Sequence, residues 1–133
     1  MNKILKEEGF KEGVKWSLGG NIDFNIVENK DVESKNNVLY AHCSNNEIMY
    51  FGLTRNTFKK RMGQYRKPGP SQTTNINVNN EIINELKKNK NVQTYYRTWN
   101  PKEEEQLNGM DVPLEAIEST LIYNINPPWN RKN

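Results

Sequence analysis

The chain has 133 residues, with 19 Lys and Arg against 16 Asp and Glu, a formal net charge of +3, 34% apolar residues and a mean hydropathy of -0.98. That length is about one domain's worth, and no apolar run is long enough for a membrane-spanning helix. One cysteine, Cys43, and one histidine, His42, exclude an intramolecular disulfide framework and a four-ligand zinc site of thiolates and imidazoles, which leaves carboxylate-held hard cations as the accessible metal chemistry.

Met1 to Glu8 place acids where a secretory signal would carry its apolar stretch, so an unexported, cytoplasmic protein is expected. Over residues 3–18, Ile4, Leu5, Val14 and Leu18 stand at loosely helical spacing before Gly19-Gly20, which predicts an N-terminal helical extension within 1–36. Val38-Leu39-Tyr40-Ala41-His42-Cys43 and Ile48-Met49-Tyr50-Phe51-Gly52, separated by the polar run Ser44 to Glu47, predict an antiparallel hairpin. Thr57 can cap a helix from Phe58 to about Arg66, stopped before Pro68-Gly69-Pro70. The Asn-rich stretch 75–80 reads as a loop leading into a helix from about Asn80 to Lys88. Val92 to Trp99 predicts a third strand, and Val112 to about Asn124 a last helix with Pro113 in its first turn. The expected fold is α+β, a small central antiparallel sheet of about three strands flanked by helices in a domain over 37–133.

Two constellations stand out. On the last helix Leu114, Ile117, Leu121 and Ile125 form an apolar stripe with Glu118 in its middle. A buried carboxylate needs a cation, a hydrogen-bond network or an opening to a cleft, so Glu118 is either salt-bridged, with Arg61 or Arg97 as partner, or on a helix edge left in solvent, or functional. The second lies after the hairpin, where Arg55, Lys59, Lys60, Arg61, Arg66 and Lys67 crowd into residues 55–67 with no acid between them. Arg61 and Tyr65, four residues apart, stack one turn above the other, an arrangement suited to gripping a phosphate or to a solvated basic face. Lys59 and Lys60 point elsewhere.

In combination these residues resemble a known family. Val38-Leu39-Tyr40, then Tyr50-Phe51-Gly52 ten residues after the first tyrosine, then Arg61, then Glu118 in the helix Glu118-Ser119-Thr120-Leu121-Ile122, then Asn130 after Pro127-Pro128-Trp129, resemble the GIY-YIG nuclease superfamily over residues 38–130. The family's first Gly-Ile pair is Val38-Leu39 here and Phe51 replaces an aliphatic residue. Leu53 stands where the excision-repair branch commonly has lysine, and Tyr65 where many homing and restriction members have histidine.

The resemblance implies a metal-dependent endonuclease acting on nucleic acid, most simply DNA. In that role Glu118 would hold one Mg²⁺ or Mn²⁺ and Arg61 would neutralise the non-bridging phosphate oxygens. Tyr40 would accept the water's proton, its phenolate favoured by the nearby cation and guanidinium, while Tyr50 and Tyr65 position water and phosphate. Asn130 would orient the site, Gly52 would permit close backbone approach, and Arg55, Lys59, Lys60, Arg66 and Lys67 would track the flanking backbone. The alternative is an inactive binding or regulatory module on the same fold. Target choice would come from the extension, the loop 68–80, a homodimer or a targeting partner.

Overall fold

The computed structural model describes residues 1–27, 37–98 and 114–132. Its elements in chain order are α1 (Lys3–Glu7), β1 (Lys11–Leu18), β2 (Ile22–Ile26), β3 (Val38–Ser44), β4 (Glu47–Thr54), α2 (Phe58–Arg66), α3 (Thr73–Lys87), β5 (Val92–Arg97), α4 (Leu114–Ile125) and a 3₁₀ turn at Asn130–Lys132. The five strands form one antiparallel sheet in the order β2-β1-β5-β3-β4. The fold is therefore α+β as expected, with five strands rather than three.

The two extra strands come from the segment read as a helical extension. Gly9 adopts φ 80°, a left-handed conformation that ends α1 after barely more than a turn. Beyond it Val14 and Trp16 alternate with exposed Lys15 and Ser17, a period of two that fits a half-buried strand. The helical reading had joined Ile4 and Leu5 to Val14 and Leu18 across that glycine. β1 then pairs with β2 on one side and β5 on the other, and Trp16 meets its register partner Phe24 edge to face at 5.2 Å.

The hairpin lies where expected, its strands joined through Asn45 and Asn46, both at positive φ. Helix α2 also has the expected bounds. Thr57 Oγ1 accepts from the Lys60 amide at 3.3 Å, but a cap contributes about 1 kcal/mol. Phe58 and Met62, fully buried, contribute about 2 kcal/mol each, so packing decides where the helix sits. That packing requires Gly13 on β1, because a Cβ there would stand 2.7 Å from the Thr94 carbonyl oxygen and 2.8 Å from Phe58 Cζ.

Helix α3 starts at Thr73, so the whole Asn-rich stretch 75–80 is helix and not loop. Its buried positions, Asn75, Val78, Ile82 and Glu85, follow a helical spacing in which an asparagine occupies the first inward place. The expected beginning of the last helix at Val112 and Pro113, the strand end at Trp99 and most of the acidic run 102–118 lie outside the described residues.

The sheet separates two apolar layers. Val38 and Tyr40 of β3 face α2 and α3 together with Val14, Trp16, Val92 and Trp129, whereas Leu39, Ala41 and Cys43 face α1 and α4 through Leu5, Phe10 and Leu121. Edge strand β4 is closed by the C-terminal segment. The Trp129 amide donates to the Met49 carbonyl at 2.9 Å, and the Asn130 side-chain amide clasps the Phe51 backbone, accepting from its N–H at 2.9 Å and donating to its carbonyl at 3.0 Å.

Asn130→Ala should therefore lower stability in urea denaturation by about 1–2 kcal/mol, since it strips both backbone groups of a buried residue of their partner. Asn130→Asp should be worse, because a carboxylate would face the Phe51 carbonyl. An unchanged midpoint for both would show that the clasp does not hold β4.

Candidate active site

Tyr40 of β3 pairs in register with Gly52 of β4, and its phenol lies across that glycine. A Cβ at Gly52 would collide with the Tyr40 ring and hydroxyl, so the close approach that Gly52 permits is to Tyr40. From α2 above, Arg61 donates through Nε to the Tyr40 hydroxyl at 2.9 Å and through Nη2 to the Tyr65 hydroxyl at 2.7 Å. The two hydroxyls share a hydrogen bond of 2.7 Å, and the guanidinium carbon lies 4.3 Å from the Tyr65 ring centre. Nη1 donates to Gln64 Oε1 and to Asn75 Oδ1, each at 2.7 Å. Four of the five guanidinium N–H groups thus go to protein acceptors. The sequence suggested a fork aimed at phosphate, whereas here the fork grips two phenols.

Electrostatics follow from this burial. Arg61 loses hydration, but the oxygens of Tyr40 and Tyr65 outweigh that loss and raise its pKa, so it stays charged. Burial pushes the Tyr40 phenol up to about 12, with the Arg61 charge opposing it only in part. Tyr65 is pushed well up by the same cause. The expectation that Arg61 favours a Tyr40 phenolate holds in direction, but desolvation is the larger effect and Tyr40 is a neutral phenol at neutral pH.

Tyr50 joins the wall from β4, its ring stacked on His42 at 5.7 Å and 25°. Asn130 stands at the far side of β4, clasping Phe51 rather than touching the phenols. Glu118 lies on α4, half-buried, its pKa raised by burial. Neither suggested salt bridge forms among the described residues. Arg61 is engaged as above, and Arg97 pairs with Glu8 at 3.6 Å. Of the basic residues, Arg55 pairs with Glu115, and Arg66 reaches Asp23 at 3.3 Å and covers the Phe24 ring. Lys59, Lys60 and Lys67 are exposed.

Sequence reasoning missed Gln64 and Asn75, which complete the shell of Arg61, and Asn79, whose side-chain amide donates to the Tyr65 carbonyl at 2.6 Å. The signal was the spacing of four between Asn75 and Asn79, one helical turn. Among the described residues no group of three or more His, Cys, Asp and Glu could hold a metal ion, and no helix is long and apolar enough to cross a membrane.

No protein-family model matches the chain. It is similar to Endonuclease II of Enterobacteria phage T4. The two are 28% identical over 134 residues, which span 98% of this chain and 96% of that protein. A solved structure of a glutamate-to-alanine mutant of bacteriophage T4 EndoII superposes with a TM-score of 0.68 at 27% identity, covering 96% of each chain. Restriction endonuclease HPY188I in complex with product DNA shares the fold, with a TM-score of 0.55 at 16% identity over 93% of this chain and 80% of that one. The α+β architecture is thus that of solved nucleases.

The phenol cluster sets an alkaline limit. An ordinary tyrosine ionises near 10 in the unfolded chain, whereas the folded protein keeps Tyr40 protonated to about 12, and Tyr95 likewise. The stability this contributes is complete below about pH 10 and is lost as pH rises toward 12, by up to about 1.4 kcal/mol per pH unit for each phenol. Denaturation midpoints across this window should fall steeply for the parent and less steeply for Tyr40→Phe.

Proposed function

We propose that this chain is a DNA endonuclease of the GIY-YIG type, hydrolysing phosphodiester bonds with one divalent cation, Mg²⁺ or Mn²⁺, held by Glu118. The observation that carries the reading is the Tyr40–Arg61–Tyr65 knot, which combines a permanently charged guanidinium with two phenol hydroxyls in a largely dehydrated place. A fold maintained for binding alone has no need to bury that charge. Similarity to T4 Endonuclease II along nearly the whole chain supports the same reaction class.

The donor set fits such a cation. Mg²⁺ keeps several waters and is commonly bound by one or two carboxylates plus substrate phosphate, and Glu118 is a half-buried carboxylate whose pKa is raised by burial. When bound, the ion would supply charge stabilisation at the phosphate and leaving oxygen. Arg61 presents its remaining Nη2 proton and its full charge to a non-bridging oxygen. Tyr40, whose Oη accepts from Arg61 Nε, would take the attacking water's proton as a phenolate, after releasing its own phenolic proton to solvent under the charge of Arg61 and the bound cation, and Tyr65 and Tyr50 shape the wall against which water and phosphate rest. Asn130 fixes the strand carrying Tyr50. The exposed Lys59, Lys60 and Lys67, with Arg55 and Arg66 exchanging their carboxylate partners for phosphate, contact the flanking backbone.

A second reading has one observation in its favour. With four of the five Arg61 N–H groups already taken, the site could serve a binding module that never turns over. A plasmid-nicking assay separates the two. Cleavage should require Mg²⁺ or Mn²⁺ and stop in excess chelator, and Glu118→Gln should abolish it while DNA affinity stays within about twofold, because the basic surface is untouched. Full activity in chelator or in that variant would overturn the metal assignment.

Arg61 and the neighbouring lysines should also separate. Arg61→Lys should cut the rate by about a hundredfold or more, because an ammonium cannot bridge two phenols, Gln64 and Asn75 at once. Lys59→Ala with Lys60→Ala should instead weaken affinity and flatten its salt dependence with little change in the rate at saturation. Equal effects on rate and affinity from both changes would favour the binding module.

A further inference from the structure

His42 is fully buried and has no part in the chemistry above, yet its ring lies near every tyrosine of the site. Its centroid is 4.9 Å from that of Tyr65 at 83°, 5.4 Å from Tyr40 and 5.7 Å from Tyr50, the last pair stacked. On β3 it sits in register between Tyr50 of β4 and Thr94 of β5. His42 Nδ1 is 2.6 Å from Thr94 Oγ1, which in turn accepts from the Trp16 indole at 2.8 Å. His42 Nε2 is buried without a hydrogen-bond partner among the described residues.

The proton inventory selects one arrangement. An indole nitrogen can only donate, so Thr94 Oγ1 accepts from Trp16 and still has its own proton to place. If Thr94 donates to His42 Nδ1, one group is left unsatisfied, the Nε2 proton. If His42 Nδ1 were the donor, two would be, the Thr94 proton and the Nε2 lone pair, and buried polar groups left unpaired are rare. The groups facing the imidazole are Tyr40 from its own strand, Tyr50 from β4, Thr94 from β5, Trp16 from β1, Tyr65 and Arg61 from α2, and Trp129 from the C-terminal segment. Burial, assisted by the Arg61 charge, holds its pKa down to about 3.

We propose that His42 is a positioning residue of this site: a neutral imidazole, locked as its Nε2–H tautomer by the Trp16–Thr94 relay, against which the rings of Tyr40, Tyr50 and Tyr65 are aligned. Arg61 fixes the hydroxyl ends of Tyr40 and Tyr65, and His42 fixes the ring bodies. The kinetic consequence rests on the endonuclease reading, whereas the tautomer and the ring alignment do not.

Because the chain has one histidine, ¹⁵N-histidine labelling reports His42 alone, and no substitution is needed. Its Nδ1 signal should be that of a lone-pair acceptor and its Nε2 signal that of a protonated nitrogen, both unchanged from about pH 5 to about pH 8. Thr94→Val should disturb these signals and the tyrosine ring resonances and lower kcat about tenfold or more, with KM for duplex DNA within about twofold. Thr94→Ser, which keeps the hydroxyl, should restore all three. A protonated Nδ1, a titration near pH 6.5, or tyrosine resonances indifferent to Thr94→Val would overturn the proposal, as would a fall in KM performance with kcat unchanged. If the parent protein cleaves nothing, the endonuclease reading fails while the two spectroscopic readouts still decide the role of His42.

Discussion

Arg61 must be satisfied where water has largely been removed, and its surroundings answer that demand. Removing one partner from a buried charge costs far more than an average hydrogen bond contributes. Tyr40, Tyr65, Gln64 and Asn75 therefore act as one unit with it. Asn75 ties the first turn of α3 to α2, and Asn79 adds a second tie one turn later through the Tyr65 carbonyl. The two helices are held by polar contacts at the site end and by Met62, Val78 and Ile82 beneath.

The sheet accommodates this unit by leaving out side chains. Gly13 makes room for Phe58, which seats the first turn of α2, and Gly52 makes room for the Tyr40 ring, which carries the hydroxyl that Arg61 needs. Both glycines face aromatic side chains from neighbouring elements. Larger residues would shift α2 or Tyr40 by amounts that the short hydrogen bonds around Arg61 cannot follow.

Much of this was legible in the sequence. The hairpin showed in its paired apolar runs, α2 in the Thr57 cap and the stop at Pro68-Gly69-Pro70, and the nearness of Arg61 to Tyr65 in their separation by one turn. What was not legible depended on contacts distant in sequence. Residues 11–26 carry a period of two, but the pattern is short and follows directly on a helical turn, and only pairing with β5, some eighty residues later, makes it decisive. The Asn-rich stretch looked like a loop because asparagine is a weak helix former, and tertiary partners for Asn75 and Asn79 overrode that propensity. His42 looked like a strand residue with no task, since nothing local shows that Thr94 and Trp16 will meet it. The direction of electrostatic influence on Tyr40 was readable from Arg61, whereas the strength of desolvation was not, because burial belongs to the folded whole.

The two apolar layers of the sheet carry different halves of the proposed chemistry. The phenol knot rests on the layer shared with α2 and α3, and Glu118 rides on α4 over the layer of Leu39, Ala41 and Phe51. A substitution that repacks the underside can thus alter the carboxylate while leaving the knot seated, and the reverse also holds. Across generations the two supports are free to diverge at separate rates, so that the surroundings of the carboxylate and the seating of the phenols become independently heritable traits of one small domain.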